Sequence, residues 1–489
     1  MRKEVDDMPK YANVTYSNIV LSIVAEKETI LFVSVKDTIM IHYRKLLKSK
    51  FLAMCREERL LCITVQPELE RELAQKEIAT ISLQVLLSMA NEHKQDESWY
   101  ADLFSMLGLN YSSIAYGTSI VLYSSEEYFW QPLSVCYNQC LEKISAYGME
   151  CILMKEIAVL PILHEIFDKD FHLDRLVYAE WRQMLEEKIA RLKSENTCEA
   201  VQSVQKYENC LKQYAPEKLY VSNETDVVRC SFHQIGTRTF RVSTHRPNIQ
   251  GLPAELKHGL RPCHVGNVLM ELDIEHSQVM LFGALANETK LLTYCENDLY
   301  CWLAATFFQK GIGSIVDQER LVAKRSLLMM LNGAGQNAIR EDLKKHGVLY
   351  SLAQVQNMKD TFFRAFPNMK NYWTNLQDAL SYGLPTGMFW EGSRVTDGYK
   401  HISKVLQHLE AELLIDVLIA SREMLYLMNA QVYLIIHDAI ILEVPLGQDV
   451  KQLTKKMNAI LLSCFLEIFP QYRTVSSDIQ VKFKGGLLC

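Results

Sequence analysis

The sequence predicts a mixed α+β chain of several structural units, and three observations lead there. The chain has 489 residues, too many for one ordinary core, so two to four units are expected. Only 20 Gly and 12 Pro are present, which favours long elements over a loop-rich sandwich. Strand-like apolar runs open the chain and return in its second half, with helical patterns around them. Hydrophobic residues at 49% and charged residues at 22% give the balance of a soluble globular protein.

The elements follow in order. Residues 18–24 and 29–35 are β-rich, and Ala25-Glu26-Lys27-Glu28 between them reads as a hairpin. Helical patterns fill 46–109, interrupted by the polar loop 91–98, which completes a first α/β unit of about 130 residues. Residues 141–193 read as strongly helical, 194–225 as polar and weakly periodic, and from Val227 onward apolar strands alternate with long helices. No apolar run approaches the roughly 20 residues that span a bilayer. Met1-Arg2-Lys3 leads into Glu4-Val5-Asp6-Asp7 with no apolar stretch, so neither a membrane nor a secretory route is expected. Thirteen cysteines without a CxxC pair read as reduced thiols, the habit of a cytoplasmic protein.

Net charge is −6, yet between Gly236 and His264 five cations (Arg238, Arg241, Arg246, Lys257, Arg261) face one acid, Glu255. Such a strip within an acidic chain suits a channel for phosphates, although taken alone it also fits a solvated loop. Two acids stand out. Asp273 ends the apolar run Val268-Leu269-Met270, and Asp438 falls at a tight turn between the runs 432–436 and 439–444. Carboxylates in apolar surroundings need compensation, and two of them can hold the two divalent ions of a phosphoryl transfer. Arg320, Lys324, Leu328 and Asn332 recur every four residues and share one helical face, with two cations that suit a triphosphate.

Taken together, four segments resemble DNA polymerase family A. They are Thr239, Arg241, Ser243, Pro247, Asn248 and Gln250; the strand-end Asp273; the helix with Arg320, Lys324 and Gly333; and His437-Asp438. The likeness covers roughly 156–486, with further agreement at Asn297-Asp298-Leu299-Tyr300, at Phe362-Phe363-Arg364-Ala365-Phe366-Pro367 and at Leu406-Gln407. It implies a right-hand fold: a vestigial 3′–5′ exonuclease-like domain (1–135), connecting helices and a shortened thumb (136–235), palm (236–295), fingers (296–390) and palm again (391–489).

The resemblance also implies roles. Asp273 and Asp438, helped by the carbonyl of Ile274, would bind two Mg2+ ions, with Mn2+ as a substitute. Lys324 would contact the triphosphate and protonate the leaving pyrophosphate, and Arg320 would hold the γ-phosphate. Arg241, Gln407 and His437 would touch the minor-groove edge of primer–template DNA, with Arg246, Asn248 and Gln250 beside them. Where the family has a glutamate, an aromatic residue and a tyrosine around the incoming nucleotide, this chain has Gln278, Leu328 and Asn332, and Ala439 follows the His437-Asp438 pair.

Three further expectations rest on the likeness. The first strand carries no acid, and Glu26, Glu28, Asp96 and Glu97 fall in loops, so no proofreading is expected. Only about 45 residues separate Lys193 from Thr239, so the thumb is short and a processivity partner protein would supply grip. A single-subunit RNA polymerase and a catalytically dead DNA-binding polymerase fold are the competing readings.

Overall fold

The computed structural model describes residues 19–25, 29–36, 39–57, 61–64, 67–76, 78–91, 139–146, 148–195, 197–294, 298–381, 398–475, 479 and 481–488. Glu26, Glu28, Asp96 and Glu97 lie outside them. Two compact units emerge, Met1–Glu271 with Arg422–Gln448 and Gly486–Cys489, and Leu272–Ser421 with Asp449–Gly485.

The first unit opens on a five-stranded sheet of β1 (Ile19–Ala25), β2 (Thr29–Lys36), β3 (Ile39–Leu47), β4 (Leu61–Thr64) and β5 (Thr80–Ser82), in the order β3-β2-β1-β4-β5. The first three strands are antiparallel; β4 runs parallel to β1 and β5 parallel to β4. Parallel neighbours require crossovers, and the helices Lys48–Glu57 and Pro67–Gln75 supply them. Phe51, Leu52, Cys55, Cys62, Leu69, Leu73 and Ile78 form the core beneath. The first hairpin matches the sequence expectation. The strands β4 and β5 do not: four and three buried residues inside a helical-looking stretch are too short to impose a period of two.

The expected long helix of 141–193 is divided. Glu150–Phe167 stops at Asp168, β6 (Phe171–Leu173) intervenes, and Asp174 starts the helix Arg175–Lys193 by accepting from the amides of Leu176 and Val177. The stretch read as weakly periodic holds a further helix, Cys198–Gln213, capped by the Thr197 hydroxyl. Its buried side chains include Ala200 and Val204, too few to show in the pattern.

Short strands β7 (Val227–Val228), β8 (Ser231–His233), β9 (Ser243–His245) and β10 (Leu260–Arg261) follow, β8 pairing with β9 and β6 standing between β10 and β7. The last sheet orders β12 (Gln431–Ile436), β13 (Ala439–Pro445), β11 (Asn267–Ile274) and β14 (Phe483–Leu487) as β12-β13-β11-β14. The chain leaves the first unit within β11, between Glu271 and Leu272. From Val432 to Val444 the hairpin is buried apart from His437 and Asp438 at its turn, which is why it reads as two apolar runs.

The second unit is helical apart from the ends of β11 and β14. Its helices include Ser277–Leu285, Leu299–Phe308, Asp317–Leu331, Gln336–Lys345, Leu352–Ala365 and Val450–Ile468, and it takes most of Gly398–Leu427. No helix among the described residues is long and apolar enough to cross a membrane.

Candidate active site

In the second unit, Asp273 is exposed near the end of β11, and the next residue, Ile274, is buried. His276 then turns the chain into the helix Ser277–Leu285 with a left-handed φ of 55°. The helix start is held from inside: the Ser277 hydroxyl donates to the buried Glu410 at 2.5 Å.

The helix Asp317–Leu331 carries the expected cations. The Arg320 guanidinium lies 5.4 Å from the centre of the Tyr300 ring, and the Lys324 ammonium lies 5.6 Å from the same ring. Asp298 has two tasks. Its Oδ1 accepts from the Cys301 amide at 3.2 Å and caps the helix Leu299–Phe308, while its Oδ2 accepts from Nε of Arg320 at 2.6 Å. Burial alone would raise the Asp298 carboxyl, but Arg320 and the Cys301 amide hold it below the usual range. The His276 and Tyr300 rings make a T-shaped contact at 4.7 Å, and burial lowers the His276 pKa, with Glu275 and Asp298 opposing and Lys324 and Arg320 adding to the shift. Three residues after Asp273, then, a histidine sits in the field of both cations.

Leu328 is half-buried, Gln278 is half-buried as the second residue of its helix, and Asn332 is exposed at the C-cap. The Asn332 amide donates to the Leu328 carbonyl at 2.8 Å, so it is engaged along its own helix. Gln407 is half-buried and reaches the Ser403 hydroxyl at 3.3 Å.

The first unit holds the rest. His437 and Asp438 form a two-residue turn between Ile436 and Ala439, with His437 exposed at φ 54° and Asp438 half-buried. Burial first, and then the Arg241 charge, lowers the His437 pKa against the opposing pull of Asp438, so Arg241 lies within electrostatic reach of the ring. The loop after Arg241 is braced by the residues expected beside DNA. Asn248 accepts from the Gly251 amide at 3.0 Å and the Thr244 hydroxyl at 3.1 Å; Gln250 donates to the Ile435 carbonyl at 2.8 Å. Arg246 stays exposed at φ 54°. A fully buried carboxylate, Glu443, fastens the other end of the hairpin, taking bonds from the amides of Cys263 and His264 and from Asn267.

Phe240, Arg246, His276 and His437 all adopt positive φ, and each is one of the expected site residues or stands within three positions of one. A non-glycine residue in that region costs about 1–2 kcal/mol, and such strain concentrates where a site needs its side chains aimed. Sequence reasoning missed the tasks of Asp298, Tyr300 and His276. The Asp298-Leu299-Tyr300 run was visible, but only the fold brings it to Arg320 and Lys324.

Comparison with known proteins gives the fold first. The fold matches the polymerase domain of Pol1 from M. smegmatis, solved with DNA primer-template and dNTP, at a TM-score of 0.70 over 96% of this chain and 94% of that one, with 12% sequence identity. Residues 163–390 match the family model described as DNA polymerase family A. Bacterial DNA polymerase I is similar at 23% identity in Treponema pallidum, over 34% of this chain and 17% of that protein. In Caldicellulosiruptor bescii the figures are 24%, 30% and 18%. The matched stretch therefore spans under a fifth of these relatives. The likeness in sequence to DNA polymerase family A is thus carried by residues 163–390, a little under half of the chain.

Proposed function

We propose that this chain is a DNA polymerase that extends the 3′ end of a primer on a template with deoxynucleoside triphosphates, by two-metal phosphoryl transfer and without proofreading, in the reducing cytoplasm. The observation that carries the proposal is the pair Arg320 and Lys324, 5.4 Å and 5.6 Å from the centre of the one Tyr300 ring, which also meets His276, three residues after Asp273. Two cations so arranged suit the oxygens of a triphosphate.

Asp273 and Asp438 offer hard carboxylate oxygens, the donors Mg2+ prefers, and Mg2+ ordinarily takes one or two carboxylates and completes its shell with water and substrate phosphates. Among the described residues no group of three or more His, Cys, Asp and Glu side chains is gathered to hold a metal, so substrate would supply the remaining ligands. The donor set fits. Bound there, with the Ile274 carbonyl, the ions would stabilise charge on the attacking and leaving oxygens.

The protein's own groups do the rest. Arg320 neutralises the γ-phosphate while Asp298 keeps its Nε occupied, and Lys324 gives the leaving pyrophosphate a proton. Arg241, Gln407 and His437 offer donors to the minor-groove edge, where every base pair presents equivalent acceptors, so they test pair shape without reading sequence. Arg246 meets a backbone phosphate; Asn248 and Gln250 keep its loop in shape. Gln278, Leu328 and Asn332 face the sugar.

Primer extension with Mg2+ and each of four deoxynucleotides tests this. Template-matched incorporation is the expected result. Preference for ribonucleotides would indicate an RNA polymerase, and DNA binding without extension a dead fold.

A further inference from the structure

Arg320 and Lys324 lie four residues apart on one helical face. Like charges at that spacing repel, and the side chains would splay apart before any phosphate arrived. Both instead lie over Tyr300, whose ring presents its negative face to cations. We propose that Tyr300 is the positioning residue of the triphosphate site: its ring is a shelf that holds Arg320 and Lys324 together in one plane, ready for a chain of phosphates. The inference rests on the proposed role of these two cations.

The surroundings fit a shelf better than a packing filler. Tyr300 is 5% exposed, so its orientation is fixed by its neighbours. The His276 ring packs against it in a T-shaped contact, with ring centres 4.7 Å apart. Asp298 accepts from Nε of Arg320 at 2.6 Å and so fixes the guanidinium at its neck. Arg320 is thus gripped at its neck and Lys324 rests on the ring. Two ordered cations cost less to bind than two mobile ones, since the loss of side-chain freedom on binding is smaller.

The test uses the full chain and inorganic tripolyphosphate, whose binding is read by calorimetry and needs no turnover. Replacing Tyr300 by phenylalanine keeps the ring and should leave affinity within about twofold. Phenylalanine with successive ring fluorines at position 300 keeps shape while draining the ring face; affinity should fall stepwise, to about tenfold weaker when both contacts are lost. Tyr300→Leu should weaken binding to the same degree. In extension assays the same series should raise the nucleotide KM and leave kcat and primer–template affinity unchanged, a split that a merely structural residue would not produce. Affinity indifferent to fluorination overturns the shelf. Tripolyphosphate binding that tracks the ring in a chain that extends no primer would defeat the polymerase reading and leave the shelf standing, so the two failures are distinguishable.

Discussion

Gln278 and Asn332 are where this chain departs from the family it resembles in a way that chemistry can feel. A glutamate and a tyrosine there build a rigid wall against a ribose 2′-hydroxyl; here Asn332 is too short for that and donates instead to the Leu328 carbonyl. Selection against ribonucleotides should therefore be relaxed, each tenfold amounting to about 1.4 kcal/mol. The double variant Gln278→Glu, Asn332→Tyr should raise the deoxy-to-ribo ratio of single-turnover efficiencies; an unchanged ratio places selection elsewhere. Asp298 gives a second residue-scale prediction. Asn caps a helix about as well as Asp, so Asp298→Asn should spare the helix Leu299–Phe308 while removing the ion pair to Arg320. That pair is about two-fifths exposed on both sides, hence modest, and the nucleotide KM should rise about two- to fivefold with the melting temperature unmoved. A fall in melting temperature with KM unchanged would make Asp298 a cap and nothing more. Arg320 and Lys324 could be read from the sequence as neighbours on one helical face because they stand four residues apart, and Asp273 and Asp438 as candidates because they interrupt apolar runs; the contacts of Asp298, Tyr300 and His276 could not, because they are made across the fold.

Elements show the same division. The hairpin of β12 and β13, the strand β11 and the helix Asp317–Leu331 were legible because long apolar or four-residue patterns announce them. The strands β4, β5 and β6, at three or four residues, had no room to show alternation, and the helix Cys198–Gln213 exposes too polar a surface. The helix Glu150–Phe167 was legible, yet it hides a liability. His164 is 7% exposed, and neither ring nitrogen has a hydrogen-bond partner among the described residues. Burial, and then the Arg71 charge, lowers its pKa to about 4. The sign is that of a depressed group: the unfolded chain binds the proton more readily, so stability is complete above about 6.5 and declines as pH falls towards 4. The loss amounts to about 3 kcal/mol. His164→Phe should remove this part of the acid slope in denaturant titrations at pH 7, 5.5 and 4. An identical slope in the variant would refute the assignment.

At the scale of the whole molecule, the match to a Pol1 polymerase domain extends over 96% of the chain, so the likeness in shape reaches well beyond the family segment at 163–390. The N-terminal sheet is there, but the carboxylates that an exonuclease would need are not on its first strand, Ile19–Ala25. On the proposed reading a 3′ mismatch should survive incubation with Mg2+, and products from single binding events should be short, since the short thumb expected from the sequence would make few phosphate contacts. Rapid trimming of the mismatch, or long products without a partner protein, would contradict these expectations. The central claim is that Asp273 and Asp438 serve chemistry and not DNA binding. The most direct measurement compares Asp273→Ala and Asp438→Ala with the native chain, by primer extension and by primer–template affinity on the same samples. The account predicts extension lost to the background level with affinity within about threefold, because phosphate contacts supply most of the binding; extension clearly above a no-enzyme background by either variant would contradict it.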